Sequence, residues 1–540
     1  MQLQARMFAV SMAAFGVSAC GEINEQNEDV TVVQSAINQT FAQHQTACQA
    51  DPRVQSGVVS LTECIGADIF FKENFNGNGR TCGSCHRVER NFTIDATFIA
   101  RLPSSDPLFI AENHTDPFAL DQLEIPAQMR ARGLILENVD GTQPEGPTNR
   151  FVLRAVPHTL SQGISTTLPP GLQGPPAERT GWSGDGAPGQ GRLADFTNGA
   201  INQHFTRSLN RVAGTDFRVA TEAEGQAVAT FMRAVGRTND IDLASITFSD
   251  AAADAGRVKF IGGGNFGCFT CHGNATANAP NNGGNTNQFT NVESVRNPAL
   301  DAAQIPIDGG FGGFSFQPPS GPIGDGTFNV PPVIESADSG PFFHTDTQVI
   351  GAPSQNTSSA QTIEQAVAFY NSNAFNLGFT ATEIANVARF LRAINAVFNI
   401  QMASNRVIGA RNMGNALGNV ARVDRMQRRM AQMTLFELDD AVRVLSEVNL
   451  NPAQADRVRT ARGRIQTVVA TTGTSPTAFN TRMVNLANAF NDLDLADGEI
   501  SANVSFNIGN GTRIDCADPS TDGQPGNAPC FDPALRTAAP

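Results

Sequence analysis

Two five-residue motifs carry the clearest chemistry in this sequence. Residues 82–86 and 268–272 both read C-x-x-C-H. In this pattern two thiols form thioethers with the vinyl groups of a haem, and the histidine that follows becomes an axial ligand of the iron. The motifs therefore predict two covalently bound haem c groups, haem 1 on the first and haem 2 on the second. The predicted attachment and ligand residues are Cys82, Cys85 and His86, and Cys268, Cys271 and His272.

The remaining cysteines divide into a terminal residue and two local couples. Cys48 lies close in sequence to Cys64, and Cys516 lies close to Cys530. We expect each couple to form a disulfide, because exported compartments permit such bonds. Cys20 is left over. No Cys/His set outside the two haem motifs has the ligand spacing of a zinc site.

The first 20 residues have the pattern of an export signal. Arg6 precedes an apolar run over residues 7–19, which is too short to span a bilayer. Residues 17–20 resemble a bacterial lipobox, in which Cys20 is lipidated and becomes the first residue of the mature chain. An ordinary cleavage site is the alternative. We expect a periplasmic protein or an outer-membrane-anchored lipoprotein, which touches the membrane only through an N-terminal lipid.

Net charge and composition exclude one class of function and favour one type of fold. The chain has 540 residues and a net charge of −14, which is the wrong sign for a nucleic-acid-binding protein. Its 50 glycines and 30 prolines favour a globular protein with many loops.

Two helices of the same design indicate a duplicated unit. Residues 221–235 and 380–394 both begin with the capping box Thr-x-x-Glu and continue with Val-Ala and then Phe-[Met/Leu]-Arg-Ala at matching positions. Each helix follows one C-x-x-C-H motif. Met232, in the first helix, is expected to pack in a core and not to bind iron.

These patterns predict a mainly α protein with two tandem cytochrome c-type domains and long loops. A helical extension follows them, and we expect it to cover the haem domains, with a docking surface for a partner as the alternative. The predicted boundaries are a signal peptide at 1–19, an N-terminal segment at 20–60, haem domains at 61–240 and 241–400, the helical extension at 401–505, and a loop-rich, disulfide-bonded tail at 506–540.

Over about residues 60–400 the chain resembles the bacterial di-haem cytochrome c peroxidase family, which includes the di-haem enzyme that matures methylamine dehydrogenase. Residues 179–186 resemble the family's Phe-Trp-Asp-Gly-Arg element, whose tryptophan relays electrons between the haems. Here that residue is Trp182, the single tryptophan of the chain. The resemblance also implies calcium between the haems.

A second pair of segments supports the same resemblance. Residues 340–344 and 362–370 are similar to the family's Pro-Tyr-Phe-His and Thr-Leu-Glu-Glu-Ala-Val elements. Tyr370, the single tyrosine, stands where the peroxidases have a methionine ligand and the maturation enzyme has a tyrosine. The resemblance therefore implies Tyr370 as the second ligand of haem 2, and an oxygen ligand favours ferric iron. A core tyrosine bonded to backbone is the alternative. The resemblance places His344 near haem 2 as a hydrogen-bonding residue.

The remaining histidines leave several roles open. The family has a distal carboxylate beside haem 1, whereas residues 200–205 offer only His204 as a titratable group. His204 fits a distal acid/base for peroxide, a second iron ligand, or a structural histidine. Residues 154–160 resemble a family loop beside haem 1, which implies His158 as a propionate contact or a sixth iron ligand. We expect His44 and His114, in polar segments, to be exposed to solvent.

The resemblance implies an exported di-haem oxidoreductase that reduces peroxide or a small oxidant at haem 1. Electrons from a small cytochrome or another redox protein would pass through haem 2 and Trp182. Two alternatives remain: an electron carrier with two six-coordinate irons, and an oxygenase similar to the di-haem rubber oxygenases. The long segment 87–178 keeps the oxygenase open, because it lies where it would shape access to haem 1.

Overall fold

The structure is a computed structural model. It describes residues 41–109, 124, 126–137, 150–166, 192–208, 210–262, 267–270, 272–273, 289–291, 327–329, 331–342, 348–349, 360–371, 377–515 and 531. Several residues with predicted roles lie outside these ranges: Cys20 and the leader, His114, Trp182, Cys271, His344, Cys516 and Cys530. The chain divides into two units, residues 1–43 and 44–540, and every element named below belongs to the second.

The described chain is mainly helical, as predicted. The helices are α1 (Leu61–Lys72), α2 (Pro126–Arg132), α3 (Leu193–Ala200), α4 (Glu222–Ala234), α5 (Ala251–Ile261), α6 (Ile363–Phe369), α7 (Ala381–Leu417), α8 (Ala421–Glu447), α9 (Pro452–Ala470) and α10 (Pro476–Ile500). Shorter helical turns lie at Pro52–Gln55, Cys82–Cys85, Val88–Arg90, Ala96–Ile99, Gln162–Ser165, Ile201–Phe205, Cys268–Thr270 and Asn510–Arg513.

Short strands, which the sequence patterns do not predict, form two small sheets. The strands are β1 (Leu134–Glu137), β2 (Arg150–Ala155), β3 (Phe289–Asn291), β4 (Thr327–Asn329) and β5 (Gln348–Val349). β2 lies between β1 and β5, and β3 pairs with β4; every pairing is antiparallel.

The two helices of the predicted repeat begin as expected. Thr221 and Thr380 each accept a hydrogen bond from the backbone N–H of the glutamate three residues later, and that glutamate bonds back to the threonine's N–H. Such reciprocal bonds satisfy two of the backbone donors that a helix start leaves without partners. Met232 packs against the buried cluster of Leu193, Ala194 and Ala229, so its predicted packing role is confirmed.

Each repeat helix packs against a preceding helix in the same way. α1 meets α4 at Gly66, where a Cβ atom would overlap the carbonyl oxygen of Ala227. α5 meets α7 at Gly256, where a Cβ atom would overlap the carbonyl oxygen of Asn386. Ala227 and Asn386 both lie six residues after the capping threonine. The duplication in the sequence is therefore also a duplication of a close helix crossing.

Phenylalanines extend the same correspondence. Phe70, four residues after Gly66, lies 5.3 Å from Phe231 between ring centroids. Phe260, four residues after Gly256, lies 5.3 Å from Phe390. Matched aromatic pairs thus occupy the two crossings.

The helical extension is continuous with the second repeat. α7 has 37 residues, and the boundary predicted at residue 400 falls inside it. α7 to α10 pack on one another, and most of α8 is buried. Inside this group Arg406 pairs with Glu437 at 2.6 Å, and both side chains are fully buried.

The described ends of this unit are tied to the core. The predicted Cys48–Cys64 disulfide is present. Arg53 pairs with Asp51 and Asp515, at 2.9 Å in each case, and Asp515 also pairs with Arg429 of α8. The predicted tail therefore begins with a packed segment. Among the described helices, none combines the length and apolarity that a bilayer crossing requires.

Candidate haem sites

The first motif forms a single helical turn. Cys82 and Cys85 lie three residues apart on it, and the N–H of His86 donates to the carbonyl oxygen of Cys82 at 3.0 Å. Residues at this spacing share one helix face, so both sulfurs are presented to the same side. Neither cysteine is in a disulfide, and burial raises their pKa values to about 12 and about 11, which keeps both as thiols.

His86 has the hydrogen bonding that an iron ligand requires. Its Nδ1 lies 2.9 Å from the carbonyl oxygen of Phe92. Burial lowers the pKa of His86, although the Phe92 and Pro157 carbonyls oppose the shift, so the ring is neutral. A neutral ring that donates its Nδ1 proton to a carbonyl keeps a lone pair on Nε2 for a metal. Asn91 and Phe92 adopt left-handed backbone conformations, φ 51° and 56°, which turn the chain back toward His86.

The second motif repeats this arrangement. The N–H of His272 donates to the carbonyl oxygen of Cys268 at 2.8 Å, and its Nδ1 lies 3.0 Å from the carbonyl oxygen of Pro331. Burial lowers the pKa of His272 to about 4. Phe260 lies 6.3 Å from the ring of His272, just as Phe70 lies 5.9 Å from the ring of His86.

A buried arginine beside the first motif tests the fit of a haem directly. Arg80 is 1% exposed, and its Nε and Nη1 atoms have no hydrogen-bond partner among the described residues. Its Nη2 donates to the carbonyl oxygen of Leu108 and pairs with Glu124. Buried donors without a partner are costly, and a haem propionate is an anion that would satisfy them. The chemistry of the first site therefore fits a haem.

His204 is held against the segment that leads into the first motif. It lies in the π-helical turn Ile201–Phe205, and π-helical turns are frequent at functional sites. Asn78 donates from its side-chain amide to the carbonyl oxygen of His204 at 2.9 Å, and its own N–H donates to that of Phe205 at 2.8 Å. These bonds hold the turn that carries His204 against the segment four residues before Cys82, and the role of His204 beside a haem stays a prediction.

The electrostatics of His204 keep its ring neutral. The residue is half-buried by surface area but surrounded by protein, and this desolvation lowers its pKa to about 3. The charges of Arg80, His86 and Arg211 act in the same direction. A neutral imidazole near His86 suits two of the expected roles, a proton acceptor and an iron ligand.

The ring of His158 makes hydrogen bonds with two backbone groups. Its Nδ1 accepts a hydrogen bond from the N–H of Leu160 at 3.3 Å, and the Ile334 carbonyl takes part in another hydrogen bond of the ring. Burial, and then the charge of Arg237, lowers the pKa of His158 to about 3. These contacts favour a structural role, which the sequence did not predict, over the propionate contact or iron ligand that the resemblance implies.

The expectation that His44 is exposed is wrong. His44 is 8% exposed, in helical residues 44–49, and its Nδ1 lies 2.6 Å from Oδ2 of Asp68. Burial alone would lower its pKa, but the hydrogen bond to Asp68 and the carboxylate of Glu73, 3.8 Å from Nε2, outweigh burial and raise the pKa to about 9. The predicted disulfide was the available signal, because it draws this segment onto α1.

Tyr370 ends α6 and is half-buried, with its ring edge-on to Phe369 at 5.8 Å. Its role as a ligand of haem 2 stays a prediction. Among the described residues no group of three or more His, Cys, Asp or Glu side chains is arranged to hold a metal ion, so the calcium site also stays a prediction.

Comparison with family models, with curated proteins and with solved structures finds no match for this chain. The sequence analysis missed Arg80 and Asn78. A signal for both was their position just before the first motif, where a polar side chain would lie close to an attached haem.

Proposed function

We propose that this protein is an exported di-haem c-type oxidoreductase of the peroxidase and maturation-enzyme group. It reduces peroxide at haem 1 with electrons that pass through haem 2 and Trp182. One observation carries the proposal: both motif histidines are neutral, are held at Nδ1 by a backbone carbonyl, and lie beside a phenylalanine of a glycine-mediated helix crossing.

The haem iron supplies electron transfer and cleavage of the O–O bond when it is bound. The Phe92 carbonyl accepts the Nδ1 proton of His86 and so fixes the orientation of its ring on one side of the site. His204, neutral at physiological pH, accepts a proton from peroxide through a ring nitrogen and returns it to the departing oxygen. Arg80 would hold a propionate through its Nε and Nη1 donors, and its charge would make the site more positive. Two electrons and two protons convert one peroxide to two waters.

The electron-carrier alternative rests on the same residue. A neutral His204 close to His86 is also suited to occupy the second axial position of haem 1, which would leave no place for peroxide. Carbon monoxide binding to the reduced protein separates the two. Binding at one haem supports the enzyme, and no binding at either haem supports the carrier. A stable dioxygen adduct without peroxide turnover supports the oxygenase.

Peroxide turnover by the purified di-haem protein, with reduced small cytochrome as donor, tests the proposal itself. Replacing His204 by Gln is expected to slow peroxide reduction by about 100-fold or more, the usual contribution of a positioned proton acceptor. His44→Gln alters another buried histidine, which is bonded to Asp68 and has no proposed role in peroxide reduction, so it is the control and is expected to leave turnover unchanged. Equal rates for His204→Gln and the native protein would contradict the proposed role.

Export and electron supply belong to the same proposal. The leader and Cys20 support a periplasmic or lipid-anchored protein. The net charge of −14 favours a basic small cytochrome as the electron donor, because opposite charges speed encounter.

A further inference from the structure

A buried group of carboxyl side chains joins the two loops that hold the motif histidines. One loop, residues 88–92, ends at the Phe92 carbonyl that accepts from His86. The other, residues 331–338, begins at the Pro331 carbonyl that accepts from His272. Both loops meet α8 through Asp440 and Arg443, so α8 of the extension connects the two candidate haem sites.

Glu335 is the most unusual member of this group. It is 0% exposed, and neither of its carboxyl oxygens has a hydrogen-bond partner among the described residues. Its backbone is left-handed, with φ 72°, which is uncommon for a residue other than glycine. Isolated buried carboxylates are very costly, so the group is far more stable with a proton bound.

Asp440 faces Glu335 from α8 and holds the first loop. Its Oδ1 lies 3.1 Å from Nη1 of Arg90, and its Oδ2 accepts from the side-chain amide of Asn91 at 2.6 Å. Asn91 directly precedes Phe92, so the charge of Asp440 acts one residue from the carbonyl that holds His86.

Asp338 completes the group from the second loop. Its Oδ2 accepts from the side-chain amide of Asn395 on α7 at 2.9 Å, and its Oδ1 pairs with Arg443 and lies 3.7 Å from Arg90. Charged side chains from loop 88–92, from loop 331–338 and from α8 therefore surround Glu335.

The charges of this group do not balance without a proton. Glu335, Asp338 and Asp440 face two arginines, Arg90 and Arg443. Nearby charges do not supply the missing cation: Asp95 also pairs with Arg90, Glu437 pairs with Arg406, and Arg237 lies within the field of both Asp240 and Glu335. One carboxyl group more than the arginines can neutralise remains buried.

We propose that the electrostatically coupled carboxyl groups of Glu335 and Asp440 bind one proton as a pair and form a redox-linked proton site for the two haems. This inference rests on the proposed function, because it requires haem at the motifs. The positive charge of a ferric haem would offset the excess carboxylate, so the proton is absent in the ferric state. When one electron reduces the haem to ferrous, that compensation is lost, the site takes up one proton from solvent and a carboxylate becomes a carboxyl group. Oxidation releases that proton. The reaction therefore carries an electron and a proton together, and the buried charge is unchanged.

The direction of the pKa shifts agrees with this assignment. Burial, and then the negative charges of Glu437 and Asp440, raises the pKa of Glu335 well above its usual range. Burial raises the pKa of Asp440 to about 7 against the opposing charge of Arg90. Because the carboxyl groups interact, the titration belongs to the pair and not to either residue. The added negative charge of an electron on a haem raises the pKa of the pair further.

Redox titration of the purified di-haem protein between pH 5.5 and pH 9.5 tests the proposal. We expect the midpoint potential to be flat at acid pH and to fall as pH rises above about 7. The slope approaches about 59 mV for each tenfold fall in proton concentration, the value for one proton per electron. Proton uptake on reduction, followed with an indicator dye in weakly buffered native protein, is expected over the same pH range and needs no variant.

Two substitutions assign the proton. Glu335→Gln and Asp440→Asn each remove one carboxyl group and leave two carboxylates facing two arginines, so each is expected to flatten the slope and reduce proton uptake. Glu222→Gln, at a side chain that is 64% exposed on α4, is the matched control and is expected to keep the native slope.

The outcomes separate this inference from the proposed function. A pH-independent potential in native protein that carries two haems would overturn the proton site alone. So would a native slope in both variants, which would assign the proton to propionates or histidines. Protein without covalent haem would overturn the proposed function and the proton site together.

Discussion

The side-chain amide of Asn78 donates to the carbonyl oxygen of His204 at 2.9 Å and to that of Thr206 at 3.0 Å. Asn78 lies four residues before Cys82, and His204 lies more than a hundred residues later. The pair therefore fixes the position of the candidate proton acceptor relative to the attachment turn.

Replacing Asn78 by alanine is expected to free the turn that carries His204 without removing a predicted haem ligand. We expect a loss of about 1–3 kcal/mol in the free energy of unfolding, because two buried carbonyls lose their donor. Peroxide reduction is expected to fall about tenfold or more, while covalent haem is retained. Chemical denaturation and steady-state turnover measure the two effects. Asn503→Ala, which removes an exposed bond to the carbonyl of Ser245, serves as control; equal behaviour of the two variants would contradict the positioning role.

The two helix crossings predict the effect of a single methyl group. Gly256→Ala places a Cβ atom against the carbonyl oxygen of Asn386, so α5 and α7 must separate. We expect a loss of about 1–3 kcal/mol or more in the free energy of unfolding. Gly463→Ala, in α9 with open space around the added atom, is expected to stabilise the protein by about 0.5–1 kcal/mol. Thermal and urea unfolding distinguish them, and a neutral Gly256→Ala would show that the crossing is looser than described.

The charge of Arg80 is expected to raise the midpoint potential of haem 1. Arg80→Gln removes a buried cation and should lower that potential by tens of millivolts, since a unit charge acts through an effective dielectric constant of about 20. Arg80→Lys keeps the charge and should recover most of the shift. Spectroelectrochemistry measures it, with Arg457→Gln on the exposed face of α9 as control. An unchanged midpoint potential in Arg80→Gln would mean that the charge of Arg80 does not act on haem 1.

The buried His44–Asp68 pair predicts a pH dependence of stability. The pKa of His44 is about 9 in the folded protein and about 6.5 when unfolded, so its contribution is present in full below about pH 6.5. That contribution, about 3 kcal/mol at most, is lost as the pH rises from about 6.5 through 9. Urea unfolding of native protein and of His44→Gln across this range should converge at alkaline pH. A constant difference between them would mean that His44 is neutral in the fold.

How much was predictable depends on the range of the interactions. The capping boxes at Thr221 and Thr380, the helices that they start, and the Cys48–Cys64 bridge are local patterns, and all were predicted. The burial of His44 and the pairing of Asn78 with His204 depend on contacts between distant segments, which neither spacing nor periodicity encodes. Glu335 is a further case, because it is an ordinary acidic residue in a loop until α8 covers it.

Haem content of the purified chain tests the central claim most directly. After denaturation and removal of unbound haem, the pyridine haemochrome band and the intact mass should both give two haems per chain. Cys82→Ser/Cys85→Ser and Cys268→Ser/Cys271→Ser should each give one. A processed chain whose mass matches its amino acids and lipid alone, with no haemochrome band, would contradict the account.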